Sequence, residues 1–241
     1  MASPFKDDRA VRALSGQGQR STKRSSTGPG SGDADALFAA GRYEEALSAY
    51  RAASNRPGLT PAHVVQFQRR IATTLESLAR WDEARSTLEE ARELASSNGL
   101  LSEEAHVLIE FGKVHMVRGE IEKALECAAS ALQRSVEASD LLARGYAENL
   151  RGYALFRRGQ LDDSAASFER ALVAFKEAGN LKALSLVYNN LGNVHRGRCH
   201  WKQSLEFYQV ATNLQAVEGE ESERRKSLNN LGIVHLRLGH L

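Results

Sequence analysis

Apolar residues recur three and four positions apart along most of the chain, which places them on one face of an α-helix. In one stretch they fall at Leu108, Phe111, Val114, Ile121, Ala124, Leu125, Ala128 and Leu132. The run is interrupted near residue 119 and then resumes in a new phase. The pattern therefore predicts a succession of short amphipathic helices, and no stretch predicts a β-strand.

The helical pattern repeats along the chain with a period of 40 residues. The segments that align are "GRYEEAL" (41–47), "ARWDEAR" (79–85), "GEIEKAL" (119–125), "GQLDDSA" (159–165) and "CHWKQSL" (199–205). A large residue falls in register in each segment, at Tyr43, Trp81, Ile121, Leu161 and Trp201. The first step is 38 residues and the next three are 40. A fixed period of this size is typical of an array of helix pairs rather than of a single compact core.

Small residues follow the same period on both sides of the turn between the two helices. They are Ala72, Gly112, Gly152, Gly192 and Gly232 before the turn and Ala46, Ala84, Ala124, Ser164 and Ser204 after it. Small side chains let two helices approach to the short end of the roughly 8–10 Å interaxial range. Gly41, Gly119, Gly159 and Gly239 suit a left-handed turn. Ala79 and Cys199 replace this Gly, so we expect strain or a variant turn there.

This layout resembles the tetratricopeptide repeat, most clearly in "LGNVHRGRCHWKQSLEFY" (191–208) and "FAAGRYEEALSAYRAA" (38–53). The 40-residue period and the Asn-rich first helices are similar to the long-repeat subgroup, which includes kinesin light chains, Leu-Gly-Asn spindle-orientation scaffolds and repeat regions of bacterial regulators. The resemblance covers about residues 33–241. It implies an all-α fold, a right-handed α-solenoid of about five and a half stacked antiparallel helix pairs.

One position departs from the repeat pattern. Arg151 stands where the other repeats carry Ile71, Phe111, Leu191 and Leu231. Either this helix is rotated so that Leu150 packs instead, or the Arg151 side chain extends its charged end to solvent.

The resemblance implies a ligand surface on the first helix of each repeat, which lines a concave groove in this fold. Asn149, Asn189 and Asn229 share one register, and in kinesin-light-chain-like repeats the matching Asn residues contact bound peptide. An amide can donate to and accept from a peptide backbone. Alternatively, these amides hydrogen-bond between adjacent helices or cap local backbone. Asn190 and Asn230 are expected to face an inter-repeat surface.

The remaining residues expected on the groove are cationic, amide or aromatic. They are Arg69, Lys113, Arg157, Asn193, Arg196, Tyr153 and Phe156. The excess of cations favours an acidic ligand, although a charged helix face is more often simply solvated. The sequence thus predicts a module that binds a partner protein or peptide. The alternative is a regulatory or sensing segment of a larger multidomain signalling or transcription regulator.

Composition excludes several classes of protein. The chain is 42% hydrophobic and 26% charged, and no apolar run approaches the roughly 18 residues of a membrane-spanning helix. The N-terminus lacks the apolar core of a secretory signal. We therefore expect a cytoplasmic protein with no membrane partner. Cys127 and Cys199 are too few and too far apart for a disulfide framework.

The two ends of the chain differ from the array. Residues 1–32 hold six cations and two acids, a net charge of +4, in a Ser- and Gly-rich sequence. This composition predicts a disordered basic leader, for which weak nucleic-acid binding is the less favoured role.

At the other end, the last helix would leave Leu228, Leu231, Val234 and Leu238 partly uncovered. We therefore expect either that the array of residues 33–241 is truncated at its C-terminus or that a partner covers this face.

No residue pattern indicates catalysis, a metal or a cofactor. His115, His195 and His235 share a register, but repeats stack roughly 8–10 Å apart and zinc binds nitrogen at about 2.0–2.1 Å. A phosphate-binding loop, a nucleophile elbow and an H-E-x-x-H pair are all lacking from the sequence. The sequence predicts a binding protein, not an enzyme.

Overall fold

The computed structural model describes residues 32–239, and the predicted basic leader lies almost wholly outside this range. Every regular element within the range is an α-helix, so the predicted all-α class is confirmed. The helices are α1 (Gly32–Ala39), α2 (Tyr43–Ser54), α3 (Pro61–Ser77), α4 (Trp81–Ser97), α5 (Leu101–Val117), α6 (Ile121–Glu137), α7 (Leu141–Arg157), α8 (Leu161–Glu177), α9 (Leu181–Gly197), α10 (Trp201–Glu218) and α11 (Glu221–Arg237).

The helices form consecutive pairs, each made of a first helix, a tight turn and a second helix. The large residue of each repeat is the first residue of the second helix, since α2, α4, α6, α8 and α10 begin at Tyr43, Trp81, Ile121, Leu161 and Trp201. Five such pairs and the single helix α11 account for the described residues. The predicted solenoid of about five and a half helix pairs is therefore confirmed.

The chain divides into two compact units, and the division falls inside α7 between Ala154 and Leu155. In the described residues, the first unit comprises α1 to α6 and most of α7. The second unit comprises the end of α7 and α8 to α11. Each unit has its own buried apolar residues.

In the first unit, small residues allow close helix contacts, as predicted. Ala46, Ala84 and Ala124 have no solvent exposure. A Cβ on Gly112 would lie 2.2 Å from Leu150 Cδ2, so the absence of a side chain at Gly112 makes room for Leu150. Arg151, the departure from the repeat pattern, is not part of this contact as the Gly112 neighbours show it, and it pairs with Glu148 at 2.7 Å. The helix thus uses Leu150 for packing.

In the second unit, a glycine likewise allows close contact between α9 and α10. The ring of Tyr208 lies against Gly192, and the Ser204 hydroxyl donates to the Gly192 carbonyl at 2.9 Å. On α11, a Cβ added to the matching Gly232 would have no atom within 4 Å.

Leu228 is 46% exposed, but Val234 is fully buried, so the expectation that Val234 would be partly uncovered is wrong.

The turns within the helix pairs share a left-handed residue. Gly41, Gly119, Gly159 and Gly239 have φ angles of 75°, 76°, 85° and 72°. Ala79 and Cys199 adopt the same conformation, with φ of 56° and 58°. These turns are therefore not variants. They carry the strain of a Cβ in the left-handed region instead, roughly 1–2 kcal/mol each.

A second series of left-handed residues, which was not predicted from the sequence, lies between repeats. It falls at a spacing of 40 residues, at Gly99, Ser139, Gly179 and Gly219, with φ of 65°, 54°, 66° and 73°. Both turns of each repeat therefore depend on this conformation.

Candidate functional site

A polar cavity of about 440 Å³ lies on the first helices of three consecutive repeats in the first unit. Its walls come from α3, α5 and α7, and we call it the first-helix cavity. It is lined by Gln66, Arg69, Arg70, Thr73, Ser102, Glu103, His106, Glu110, Leu142 and Tyr146. These residues recur three and four apart on each helix, so each helix presents one face to the cavity. Arg69 is one of the residues predicted for the groove.

The buried carboxylate of Glu110 holds two cations, Arg69 in the cavity lining and Lys113 one turn further along α5. Lys113 Nζ donates to both Glu110 oxygens at 3.0 and 2.9 Å, and Arg69 Nη2 lies 3.7 Å from Oε1. Burial opposes ionisation of Glu110, but the charges of Lys113 and Arg69 outweigh it and hold its pKa below the ordinary value. Glu110 is therefore an anion at neutral pH, and it fixes two of the four cations predicted for the groove, Arg69 and Lys113.

Arg69 retains an unsatisfied donor. Burial lowers the pKa of its guanidinium, while the charge of Glu110 partly opposes that effect. Its Nε is buried and has no hydrogen-bond partner. Leaving a buried donor unpaired costs about 1–3 kcal/mol. An oxygen atom brought next to Arg69 would recover part of that cost.

Glu76 lies close to the same charges, one turn beyond Thr73 on α3. Burial raises the pKa of its carboxyl to about 7; the charge of Glu110 adds to the increase and that of Lys113 opposes it. Its Oε1 atom is buried without a hydrogen-bond partner. Near neutral pH, Glu76 therefore exists as a mixture of protonated and ionised forms.

The turn before α7 ties two walls of the cavity together through Asp140. Its carboxylate accepts hydrogen bonds from Ser102 Oγ at 2.5 Å and from the backbone N–H of Ala143 at 2.9 Å. His106 Nε2 lies 3.2 Å from it. The hydrogen bond from His106, together with those from Ser102 and Ala143, holds the pKa of Asp140 well below its usual range. These contacts fix α5 relative to the start of α7.

Two further predicted residues extend the α7 wall beyond the cavity. Asn149 and Tyr153 follow Leu142 and Tyr146 on α7 at spacings that keep all four on one helix face. Asn149 is half-buried, and the Tyr153 side chain is 38% exposed. The first unit therefore carries Arg69, Lys113, Asn149 and Tyr153 on three of its first helices, α3, α5 and α7.

In the second unit, the predicted residues take part in contacts between helices. The Asn189 amide oxygen accepts from Ser227 Oγ at 3.2 Å and from Asn230 Nδ2 at 3.3 Å. Arg196 Nη1 donates to Asn230 Oδ1 at 3.2 Å. These bonds join α9 to α11, which is the inter-helix alternative considered for the Asn register. Asn230 lies between repeats, as expected.

The other predicted residues of the second unit are more accessible or differently bonded. Asn193 Oδ1 accepts from the Tyr208 hydroxyl at 2.7 Å. Asn229 and Arg157 are exposed, whereas Phe156 is half-buried. No contact in the described residues decides whether these side chains meet a ligand, so their peptide-binding role stays a prediction.

The acids that shape the first-helix cavity were not predicted from the sequence. Glu110 sits in the apolar run from Val107 to Phe111, and it is only 8% exposed. A charged residue inside an apolar run is a signal that it is buried and paired. The role of Asp140 was harder to foresee, because its partners lie 34 and 38 residues earlier in the chain.

Residues 32–239 hold neither a candidate metal site nor a candidate membrane span. Within that range no three His, Cys, Asp or Glu side chains are grouped so that they could hold a metal ion. Nor does any helix of the range combine the length and apolar character needed to cross a bilayer.

Comparison with known proteins agrees with this architecture. One tetratricopeptide repeat family model matches residues 143–216 and another matches residues 32–99. The chain belongs to the tetratricopeptide repeat (TPR) family. Its period and helix pairs are those expected from the resemblance noted in the sequence. No curated protein sequence matches the chain at a significant level.

Solved structures with the same fold include a Rap protein and a signal transduction ATPase. A Rap protein complexed with Competence and Sporulation Factor superposes with a TM-score of 0.71 at 14% identity, over 86% of this TPR chain and 62% of the Rap chain. The second is the Signal Transduction ATPase with Numerous Domains of Pyrococcus horikoshii, which has a TPR sensor. It superposes with a TM-score of 0.65 at 15% identity, over 84% of this chain and 31% of the ATPase chain.

A third structure matches nearly end to end. BtubC (BKLC) from P. vanneervenii gives a TM-score of 0.60 at 18% identity, over 89% of this chain and 90% of that one. Identities this low show a shared fold. The TPR chain spans less than two thirds of the Rap and ATPase chains and nearly all of BtubC.

Proposed function

We propose that this TPR protein binds a segment of a partner protein along the first-helix cavity and the adjoining face of α7. The observation that carries the proposal is the row of hydrogen-bonding groups on three adjacent first helices in the first unit, from Arg69 through Lys113 to Asn149. The cavity volume of about 440 Å³ lies within the usual range for ligand sites. The TPR fold itself is one of protein–protein interaction.

The ligand proposed for this surface is an extended segment with at least one carboxylate. The Lys113 side chain is half exposed, so a ligand carboxylate can share it with Glu110. Amides such as Asn149 can bond to the peptide backbone, and Tyr153 offers an aromatic surface to an apolar side chain. Glu110 and Asp140 already hold their neighbours in place, which lowers the entropy cost of binding.

A second candidate function is sensing within a larger regulator. The Pyrococcus horikoshii ATPase uses its TPR region as a sensor, and the Rap structure holds Competence and Sporulation Factor. By analogy, ligand binding to the repeats would change the activity of an attached effector. The residues that bind the ligand would be the same, so the two functions differ only in the effect of binding.

A pull-down from cell lysate tests the binding surface. The full chain serves as bait, alongside a double variant, Asn149→Ala with Tyr153→Ala, and a control variant, Val136→Ala. Val136 is 63% exposed on α6, a second helix. We expect partners identified by mass spectrometry to be lost from the double variant and retained by Val136→Ala. Equal retention by all three baits would contradict the proposal.

A further inference from the structure

A larger cavity of about 780 Å³ opens between the second helices α4 and α6 of the first unit. Its base is formed by Leu108, Phe111 and Val114 of α5, and we call it the second-helix cleft. Leu108 and Val114 are 5% and 2% exposed, whereas Phe111 is half-buried. Phe111 is thus the main apolar surface that a ligand in the cleft would meet.

The second-helix cleft is separate from the first-helix cavity. Both are lined by α5, but an α-helix turns by about 100° per residue. On that basis the residues of α5 that line the two sites point roughly 140° apart, with His106 and Glu110 on one face and Phe111 and His115 on the other. A ligand in the cleft would therefore not occupy the first-helix cavity.

The cleft is long enough for several turns of a helix. Its α4 wall extends from Arg85 to Ser97, which is about 18 Å at a rise of about 1.5 Å per residue. The walls are helices whose backbone groups are already bonded internally, and the lining contains no Asn or Gln. An extended segment would therefore find no amide side chain that could both donate to and accept from its backbone. A helical segment bonds its own backbone and needs only side-chain contacts.

The charges around the cleft favour an acidic ligand. Its lining has four Lys or Arg side chains and three Glu side chains, an excess of one cation. Glu89 pairs with Arg85 at 2.9 Å, and Glu93 is exposed beside Arg92. Glu120 already contacts three groups, His115 at 2.5 Å, Lys123 at 3.4 Å and Arg118 at 3.9 Å. Arg92, by contrast, is exposed and has no ion-pair partner within residues 32–239. Arg92 and the weakly paired Arg118 are thus available to a carboxylate.

We propose that the second-helix cleft binds an acidic amphipathic helix of a partner protein. Its apolar residues, three and four apart, would pack on Phe111, and its carboxylates would face Arg92 and Arg118. Opposite charges at the rim of such a groove set the orientation and the choice of partner. This inference does not depend on the function proposed for the first-helix cavity.

A phage-displayed peptide library tests the chemistry of the occupant. The library presents 16-residue helix-forming peptides with a fixed apolar stripe and random charges, and it is selected on the immobilised full chain. We expect acidic sequences to be enriched. We also expect Arg92→Glu to weaken the best peptide by about tenfold or more. The matched control is Arg56→Glu, an exposed arginine in the same unit, which should leave affinity within about twofold.

The two cysteines locate the bound peptide. Cys127 lines the cleft, whereas Cys199 is exposed in the second unit. Saturating peptide should slow alkylation of Cys127 by iodoacetamide and leave Cys199 unchanged. Enrichment of neutral or basic peptides, an unchanged affinity for Arg92→Glu, or an unprotected Cys127 would each overturn the proposal. Protection of Cys127 that rises with protein concentration alone would instead assign the cleft to a second copy of this chain.

Discussion

Tyr208 fills the space beside Gly192, so that a Cβ on Gly192 would lie 2.6 Å from two atoms of the Tyr208 ring. The hydroxyl of that ring donates to Asn193 at 2.7 Å, which limits how far the ring can withdraw. We therefore expect Gly192→Ala to lower the free energy of unfolding by about 1–3 kcal/mol. Denaturant titration of the full chain measures this change.

The matched control for this substitution is Gly232→Ala. Gly232 has the same register on α11, but no atom lies within 4 Å of the added Cβ. Alanine in a helix is favoured over glycine by roughly 0.5–1 kcal/mol. Gly232→Ala should therefore leave stability unchanged or raise it. Equal losses for the two variants would mean that the contact with Tyr208 is not what excludes a side chain at Gly192.

The two Asn residues of the second unit should respond differently to truncation. Asn189→Ala removes an acceptor for Ser227 and Asn230, so we expect a loss of about 1 kcal/mol in unfolding free energy. Asn229 is exposed, and Asn229→Ala should change stability by no more than about 0.5 kcal/mol. Thermal melts of both variants check this difference. If Asn189→Ala melts like wild type, the inter-helix bonds contribute little.

The left-handed turns offer a stabilising substitution at Ala79. Its φ of 56° is costly for a residue with a Cβ, and glycine removes that cost. Glycine also raises the conformational entropy of the unfolded chain, which offsets part of the gain. We expect Ala79→Gly to raise the unfolding free energy by up to about 1 kcal/mol. The reverse change, Gly119→Ala at φ 76°, should lower it. Denaturant titration that shows the same sign for both would contradict a strained turn.

Glu76 makes stability depend on pH. Burial raises the pKa of its carboxyl from 4.5 to about 7 in the folded protein. Between those values the folded state binds more protons than the unfolded state, so this group's contribution is greatest at low pH and falls as pH rises through 7. Glu76→Gln removes the ionisation. The stability of this variant relative to wild type should therefore increase from pH 5 to pH 8.

The unfolding free energy of Glu76→Gln relative to wild type should change by at most about 3 kcal/mol over this pH range. Access of water to the carboxyl reduces that change. Chemical denaturation at several pH values measures it. The control is Glu90→Gln, because Glu90 is exposed on α4 and forms no ion pair within the described residues. The pH dependence of Glu76→Gln relative to wild type should exceed that of this control. An equal pH dependence for the two variants would show that the carboxyl is not destabilised by burial.

The helix pairs could be predicted from the sequence because local signals specify them. The residues Tyr43, Trp81, Ile121, Leu161 and Trp201, read as one register, mark the start of five second helices. Small residues at fixed positions mark the close contacts. Even the departure at Arg151 agrees with one of the two alternatives that the sequence leaves open, since Leu150 takes the packing position.

The candidate site was less predictable because its contacts join distant parts of the chain. Arg69 and Lys113 were identified as cations, but their shared partner Glu110 depends on how α3 lies against α5. The bonds from Asn189 to α11 likewise span 38 and 41 residues. Periodicity identifies which helix face a residue occupies. It does not specify which charges meet across two helices.

Site-specific photo-crosslinking tests the proposed binding surface most directly. A photoreactive phenylalanine analogue replaces Tyr153, on the first-helix face of α7, or Val136, on the second helix α6, in the full chain. We predict that the probe at Tyr153 captures a segment of a partner protein in lysate, that mass spectrometry maps this segment, and that Val136 does not capture it. Capture of the same segment from Val136 alone, or equally from both positions, would contradict binding along the first helices.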